Sequence, residues 1–476
     1  MRALLLPLAG LPLLVLGQTP GAGQTSPGQI SAQPQGPTLT FGDAVRLARE
    51  RNGTVVRAAA DIRAARARVS QQQAAFLPSV TPRYAYTDNR QTFAGTQSNG
   101  NRLDFVTQGA QVNFAYTLFD TGQRLANLRN ARAALGATDA AAISTIRDTL
   151  FSVEQAYVET LRAQELLRVA TSTLERARII LDQTEARVRV GDAAARETLQ
   201  ARADVLNAEV DVIEAQNTVT SNAATLKALA GITDRTDVPT LDAASIPTVE
   251  AEARDLEAVI AEGLENRPDL AARRFGTEQG RQSARLARIN AGFQLSLDAS
   301  YVLSLTDSAR NSQAAFVLSY PLFDGGLRRA QAREAQANVD ATQADLTQSE
   351  RDARAEIETA YIALERNARR VIAATSAQEA ARLNFEAARE SQRLGASALP
   401  EVVTAQVSLV TSETNLIQAR YDALIASLRL RLATGRTLPG EESAIPTGTS
   451  DTQPNIPPAT GGNGGTTGAA GNGGGR

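Results

Sequence analysis

Two stretches of this chain each run for 67 residues without a proline, Gln123–Arg189 and Leu327–Arg393. The second also lacks glycine, and the first contains only Gly136. Proline breaks a helix interior and glycine weakens one, so each stretch reads as one α-helix of roughly 100 Å at ~1.5 Å per residue. A helix that long cannot sit inside a compact core and has to pack along other long helices. A second helical run follows each one and returns along it, Ala195–Ala230 and Leu399–Thr434. Apolar residues recur every seven positions in the first outgoing run: Ile146, Val153, Leu167, Leu174, Leu181 and Val188, with Thr160 the polar interruption. The first return run has two such seams, Val205, Val212, Val219, Leu226 and Leu199, Leu206, Ile213; its counterpart has Val403, Val410, Ile417 and Leu424. Sustained heptads specify supercoiled helix pairs.

The two halves are copies. Phe119-Asp120 recurs as Phe323-Asp324, Ala156-Tyr157 as Ala360-Tyr361, Val190-Gly191 as Leu394-Gly395 and Gly231 as Gly435, all 204 positions on. Four landmarks at one spacing mark an internal repeat. Upstream, Asn52-Gly53 matches Arg267-Pro268 at 215, so the first half carries about 11 extra residues between Pro78 and Phe119. Each half opens with a helix, Phe41 to about Phe76 and Asp255 to about Ala291, broken at those two pairs. Strict alternation follows. Val112, Phe114, Tyr116 and Leu118 alternate with Gln111, Asn113, Ala115 and Thr117. In the second half Phe293, Leu295, Leu297, Ala299, Tyr301 and Leu303 alternate with Gln294, Ser296, Asp298 and Ser300, and Phe316, Leu318, Tyr320 and Leu322 form a further set. Period two with one apolar and one polar face is a half-buried strand.

Alternation alone fits a soluble sandwich as well as a transmembrane barrel. The chain start separates the two. Met1-Arg2, an apolar run Ala3–Leu16 and then Gly17-Gln18-Thr19-Pro20 read as a secretory signal peptide over residues 1–23. With aromatic residues near the strand ends, that favours the barrel. No later stretch approaches 18 apolar residues, so a membrane span would be made of strands. Each half supplies two strands (about 80–119 and 293–323) joined by polar loops, Thr87–Asp104 and Thr306–Gln313. Four strands cannot close, and open edges cannot face lipid, so the barrel would be shared between subunits. Residues 24–37 and 437–476 are rich in Gly, Pro, Ser, Thr and Gln and are expected to be disordered.

Composition excludes much chemistry. The chain has no Cys and no His, hence no disulfide, no zinc site and no Cys or His nucleophile or base. Its one lysine, Lys227, lies in Thr225-Leu226-Lys227-Ala228, so there is no phosphate-binding Gly-Lys-Ser/Thr loop. Net charge is −2, from 49 basic and 51 acidic residues with no basic block, which speaks against nucleic acid as a partner. No constellation of acids, bases or nucleophiles points to an enzyme, and no metal or cofactor is expected.

At Tyr320-Pro321-Leu322-Phe323-Asp324-Gly325-Gly326, followed by a long alanine-rich helix, the chain resembles the TolC family of outer-membrane efflux proteins. A weaker copy stands at Tyr116-Thr117-Leu118-Phe119-Asp120-Thr121-Gly122, and Leu77-Pro78, the two Ala-Tyr pairs and the turns at Val190-Gly191 and Leu394-Gly395 also match. The resemblance spans roughly residues 38 to 436. It implies a mainly α fold with a β-barrel part, made of two repeats (38–231 and 255–436) around an equatorial linker, 232–254. A homotrimer would form a 12-stranded barrel in outer-membrane lipid and an α-helical barrel across the periplasm.

The implied function is a passive exit duct in a tripartite efflux or type I secretion system, fed by an inner-membrane pump through a periplasmic adaptor. The resemblance places adaptor docking at the turns Val190-Gly191-Asp192 and Leu394-Gly395-Ala396, and barrel-to-helix turns at Asp120, Gly122, Asp324, Gly325 and Gly326. The family narrows its entrance with acids six and nine positions after the second turn glycine; here these are Glu401 and Thr404, so only the first acid is kept. Glu197 holds the equivalent place after Gly191. Relatives lock the entrance with a tyrosine and an arginine where this chain has Gln392 and Ser397, so that lock is absent or built differently. Independently of any gate, Glu401 is a first-turn acid that the helix dipole favours. A periplasm-spanning structural tether without a lumen is the alternative function.

Overall fold

The computed structural model describes residues 38–92, 102–191, 193–233, 240–246, 255–290, 292–306, 308–394, 396 and 399–437. The expected signal peptide, the segment 24–37, most of the linker and the tail beyond Thr437 lie outside the described residues. Each repeat contributes a broken helix, a strand pair and a long helical hairpin. The first comprises α1 (Phe41–Arg51), α2 (Gly53–Ala74), β1 (Ser79–Thr92), β2 (Arg102–Phe119), α3 (Gln123–Arg189) and α4 (Ala195–Ala230). The second comprises α5 (Leu256–Asn266), α6 (Pro268–Ile289), β3 (Gln294–Ser304), β4 (Arg310–Ser319), α7 (Leu327–Arg393) and α8 (Leu399–Ala433).

The helix breaks have a structural purpose that links distant segments. Asn52 leaves helical geometry with ψ 125, and its side-chain oxygen accepts the Thr54 amide at 2.9 Å, which starts α2. Its side-chain Nδ2 donates 2.8 Å to the Leu229 carbonyl at the end of α4. In the second repeat Arg267 precedes Pro268, which begins α6 at a position that needs no N–H. The Arg267 guanidinium donates 3.1 Å to the Ala433 carbonyl at the end of α8. Both return helices therefore end against the break of their own repeat. Each closes with a left-handed glycine, Gly231 (φ 69) and Gly435 (φ 68), followed by a six-residue backbone hydrogen bond, Ile232 to Lys227 at 2.9 Å and Arg436 to Arg431 at 3.0 Å. A Cβ on Gly231 would meet Arg51 at 2.7 Å, so the close approach also requires glycine there.

The strands form one antiparallel sheet in the order β1-β2-β3-β4, leaving β1 and β4 as open edges. Val80 faces Phe114, Phe114 faces Ala299 and Ala299 faces Ala314 across the sheet. The register slips between Thr117 and Phe119, where Leu118 bulges. Two expectations are corrected. The strands reach well into the segments expected as loops, since Asp88 pairs with Val106 and Leu303 with Arg310; ladder pairing overrides the polar composition. Tyr320 and Leu322 are not strand residues, because β4 stops at Ser319 ahead of Pro321, which cannot donate to a ladder.

The helical hairpins pack pairwise along their seams, and the thickest core lies near the middle of α3. Phe41, Val45, Leu150, Val153, Tyr157, Leu161, Leu226, Leu424 and Leu428 form it. Tyr157 is fully buried; its hydroxyl donates 2.9 Å to the Leu39 carbonyl and accepts the Asp242 amide at 3.1 Å, and its ring meets Phe41 edge-on at 5.4 Å. That one side chain ties the chain start and the described part of the linker, which pair as Leu39 with Leu241, to α3. The second α4 seam is not packed within the chain: Leu199, Leu206 and Ile213 are 69%, 55% and 57% exposed. Gly136, the interior glycine of α3, lets Phe275 of α6 approach, since a Cβ would lie 2.8 Å from its ring.

Candidate functional site: channel wall, junctions and tips

Among the described residues no helix is long and apolar enough to cross a membrane. The sheet is sorted by face instead. Directly paired residues share a face, so the register puts Val80, Tyr84, Phe114, Tyr116, Tyr301 and Phe316 on one side. Thr81, Arg83, Gln111, Asn113, Asp298 and Gln313 lie on the other. Phe316 is 72% exposed. An apolar face this open needs lipid or protein against it. Tyr116 and the Gln108–Tyr86 pair are eight residues apart on β2, about 27 Å along the strand, which at a barrel tilt of about 40° spans roughly 20 Å of the ~25 Å apolar band of a barrel wall. The polar face is hydrogen-bonded within itself, Gln111 to Asn113 at 2.7 Å and Ser296 to Asp298 at 2.8 Å.

The expected barrel-to-helix turns start the long helices. The Asp120 carboxylate accepts the Gly122 amide at 3.1 Å, the Arg124 amide at 2.8 Å and the Arg124 side chain at 2.9 Å. Burial pushes the Asp120 carboxyl up, but the two amides and the guanidinium outweigh it and hold the group below the usual carboxylate range. Arg124 in turn lies over the Phe76 ring at 5.2 Å, which fastens the end of α2. Asp324 repeats the arrangement, accepting the Gly326 amide at 3.0 Å and the Arg328 amide at 3.2 Å; those bonds keep its carboxyl below the usual range. Gly122 and Gly326 sit at φ 91 and φ 90, and Gly325 at φ 64, where a side chain is strained. Thr121 crosses to the other repeat, donating 2.8 Å to the Phe293 carbonyl, while Phe119 stacks on Phe293 at 5.0 Å.

At the opposite end the chain reverses between the hairpin helices. Gly191 sits at φ 81 with its amide on the Val188 carbonyl at 3.1 Å, and the Ala396 amide bonds the Ser391 carbonyl at 2.8 Å. Val190 and Leu394, equivalent in the two repeats, both project into solvent. Asp192 and Gly395 lie outside the described residues. A cleft of about 580 Å³ runs beside the turns between the ends of α3 and α7, bordered by Thr184, Arg187, Glu386, Arg389 and Arg393. Of the expected entrance residues, Glu401 is exposed in the first turn of α8, opposite Val402 and Ala405, which are buried against Phe385. Thr404 is exposed one turn later, with its hydroxyl on the Pro400 carbonyl at 2.8 Å. Glu197 is half-buried in the first turn of α4, on the other hairpin.

One cluster had no signal in the sequence beyond the Arg-Pro pair. Arg267 binds Asp269 at 2.8 Å and Glu356 at 2.7 Å. Asp148 of α3 borders the same small cleft; burial, with repulsion from Asp269 and Glu356, pushes its carboxyl up. Among the described residues no group of carboxylates is arranged to hold a metal ion.

Comparison with known proteins agrees with this geometry. The family described as outer membrane efflux protein matches residues 44–232 and 259–436. The outer membrane protein TolC of Vibrio cholerae is 26% identical over 408 residues, covering 82% of this chain and 89% of that protein. The pyoverdine export outer membrane protein OpmQ of Pseudomonas putida is 27% identical over 418 residues, covering 82% and 84%. Among solved structures, the transmembrane channel CusC superposes with a TM-score of 0.72 at 17% identity, covering 83% of this chain and 92% of that one.

Proposed function

Since this chain belongs to the outer membrane efflux protein family and its fold is that of the family's outer-membrane channels, we propose that it is the exit duct of a tripartite efflux or type I secretion system. Three copies close a 12-stranded barrel and conduct cargo passively from an inner-membrane pump and a periplasmic adaptor. The observation that carries this reading is the four-stranded sheet with one apolar and one polar face and two open edges, β1 and β4. An edge facing lipid leaves backbone groups without hydrogen bonds, at several kcal/mol each, so the edges have to meet those of other copies. The exposed seam Leu199, Leu206, Ile213 supports the same closure along the helices. A tether would need the helices but no two-faced sheet.

Within this reading the tip turns, Val190-Gly191-Asp192 and Leu394-Gly395-Ala396, receive the adaptor, and the apolar tips Val190 and Leu394 supply the contact. Glu401, with Thr404 on the same hairpin and Glu197 on the other, lines the periplasmic entrance. The test is the full mature chain in mild detergent and then in a planar bilayer. A trimeric mass and discrete conductance steps are expected; a monomeric mass or a silent bilayer overturns the duct in favour of a tether.

A further inference from the structure

We propose that Arg83 forms a positively charged ring inside the barrel that binds anionic groups, carboxylates and phosphates, on the exit side of the duct. The inference rests on the duct reading above and extends it to a site in the barrel lumen. Sheet register places Arg83 on the polar face, opposite Gln111, in the rung continued by Val302 and Asn311. The neighbouring rungs are Thr81, Asn113, Ser300 and Gln313 on one side and Ala85, Gly109 and Ser304 on the other. No carboxylate lies in any of them. On the polar face, among strand residues whose side chains are described, the other ionisable group is Asp298, in the rung of Ser79 and Ala115. Ser79 and Arg83 are four residues apart on β1, about 13 Å along the strand, beyond the ~8 Å screening length at physiological salt. The Asp298 of the same chain, two strands further round, therefore does not neutralise Arg83, and its carboxylate accepts the Ser296 hydroxyl at 2.8 Å.

The strand ends that join the helices are Ser79, Phe119, Gln294 and Ser319; Arg83 stands four residues beyond Ser79 and Asp298 four beyond Gln294, each within the strand wall. The tunnel is periplasmic, so the barrel that carries Arg83 is the outward part of the duct. Twelve tilted strands enclose a backbone radius of roughly 12 Å, so three arginine side chains pointing inward occupy much of the lumen at one level. Guanidinium forks match carboxylate and phosphate geometry, and rings of arginine are a recurrent device for anion passage.

The test uses the full chain in a planar bilayer, with inositol hexakisphosphate added to the side carrying the strand loops. The wild type is expected to be blocked from that side. Arg83→Gln and Arg83→Thr should weaken the block by about tenfold or more, as loss of a charge-assisted hydrogen bond implies, and shift the KCl reversal potential towards cations. Arg83→Lys should keep most of both effects, and Asp298→Asn should leave the block in place. Equal block and equal reversal potential in wild type and both neutral variants overturns the Arg83 site while leaving the duct intact, as does block from the helix side alone. A wild type that does not conduct overturns the duct reading itself.

Discussion

Single side chains begin and brace the long elements. Asp120 ties two backbone amides and a guanidinium at the start of α3, and its carboxyl is held below the usual range. A depressed folded value means that the stabilisation is fully present above the unfolded value of about 3.9 and is lost as pH falls through the lower folded value. Asp120→Ala is expected to cost about 1 kcal/mol at neutral pH, the typical loss of a helix cap, with the gap from wild type closing below about pH 3. Unfolding in detergent at two pH values measures it. Arg267 braces the other kind of junction. Its side chain is 13% exposed and binds Asp269, Glu356 and the Ala433 carbonyl. Arg267→Ala leaves those carboxylates facing Asp148, whose carboxyl burial already pushes up. The variant should lose about 2 to 3 kcal/mol, discounted from a fully buried pair because the acids are partly solvated, and Asp148→Asn in the same chain should recover part of it. Thermal unfolding of the single and double variants reads both.

At the scale of elements, the repeats conserve geometry and change its chemistry. Asn52 and Arg267 stand at equivalent breaks and both cap the end of a return helix, one through a neutral amide and one through a charge with two acids. The hairpin turns show the same economy. Gly191 sits at φ 81 with open space around its missing Cβ, so a substitution there meets backbone strain of about 1–2 kcal/mol and no clash within the chain. Trp at Gly191 together with Trp at Gly395 should therefore leave the trimer assembled and abolish export in cells. Undiminished export by the double variant would move the adaptor contact away from the turns.

In the whole molecule, a charge on one chain would be repeated around the proposed duct. Glu401 is exposed at the start of α8, and in the proposed trimer three copies at the entrance would raise the local cation concentration. A trivalent cation on the periplasmic side should block current, and Glu401→Gln should weaken the block and reduce cation selectivity. With Thr404 in the second position, the block should be weaker than in a Thr404→Asp variant. Identical block and reversal potential in wild type and variant would leave Glu401 as a helix-start residue favoured by the dipole.

Much of this architecture is written in local patterns. Proline-free runs, heptads, period-two strands and landmarks 204 residues apart are all read within one chain segment or its copy, and the long helices Gln123–Arg189 and Leu327–Arg393 end where those patterns end. The turn residues Asp120, Gly122, Asp324 and Gly326 were legible for the same reason, since duplication marks them. Their hydrogen bonds were not. Tertiary structure decided what depends on partners far along the chain. It extended β1 and β2 into an expected loop, ended β4 before Tyr320, and showed which α4 seam stays open. It joined Arg267 to Glu356, 89 positions away, and Tyr157 to Leu39, 118 away. Periodicity records which way a side chain points relative to its neighbours; ladder bonds, ion pairs and the face given to Arg83 depend on the register between strands and helices, which only the folded chain sets.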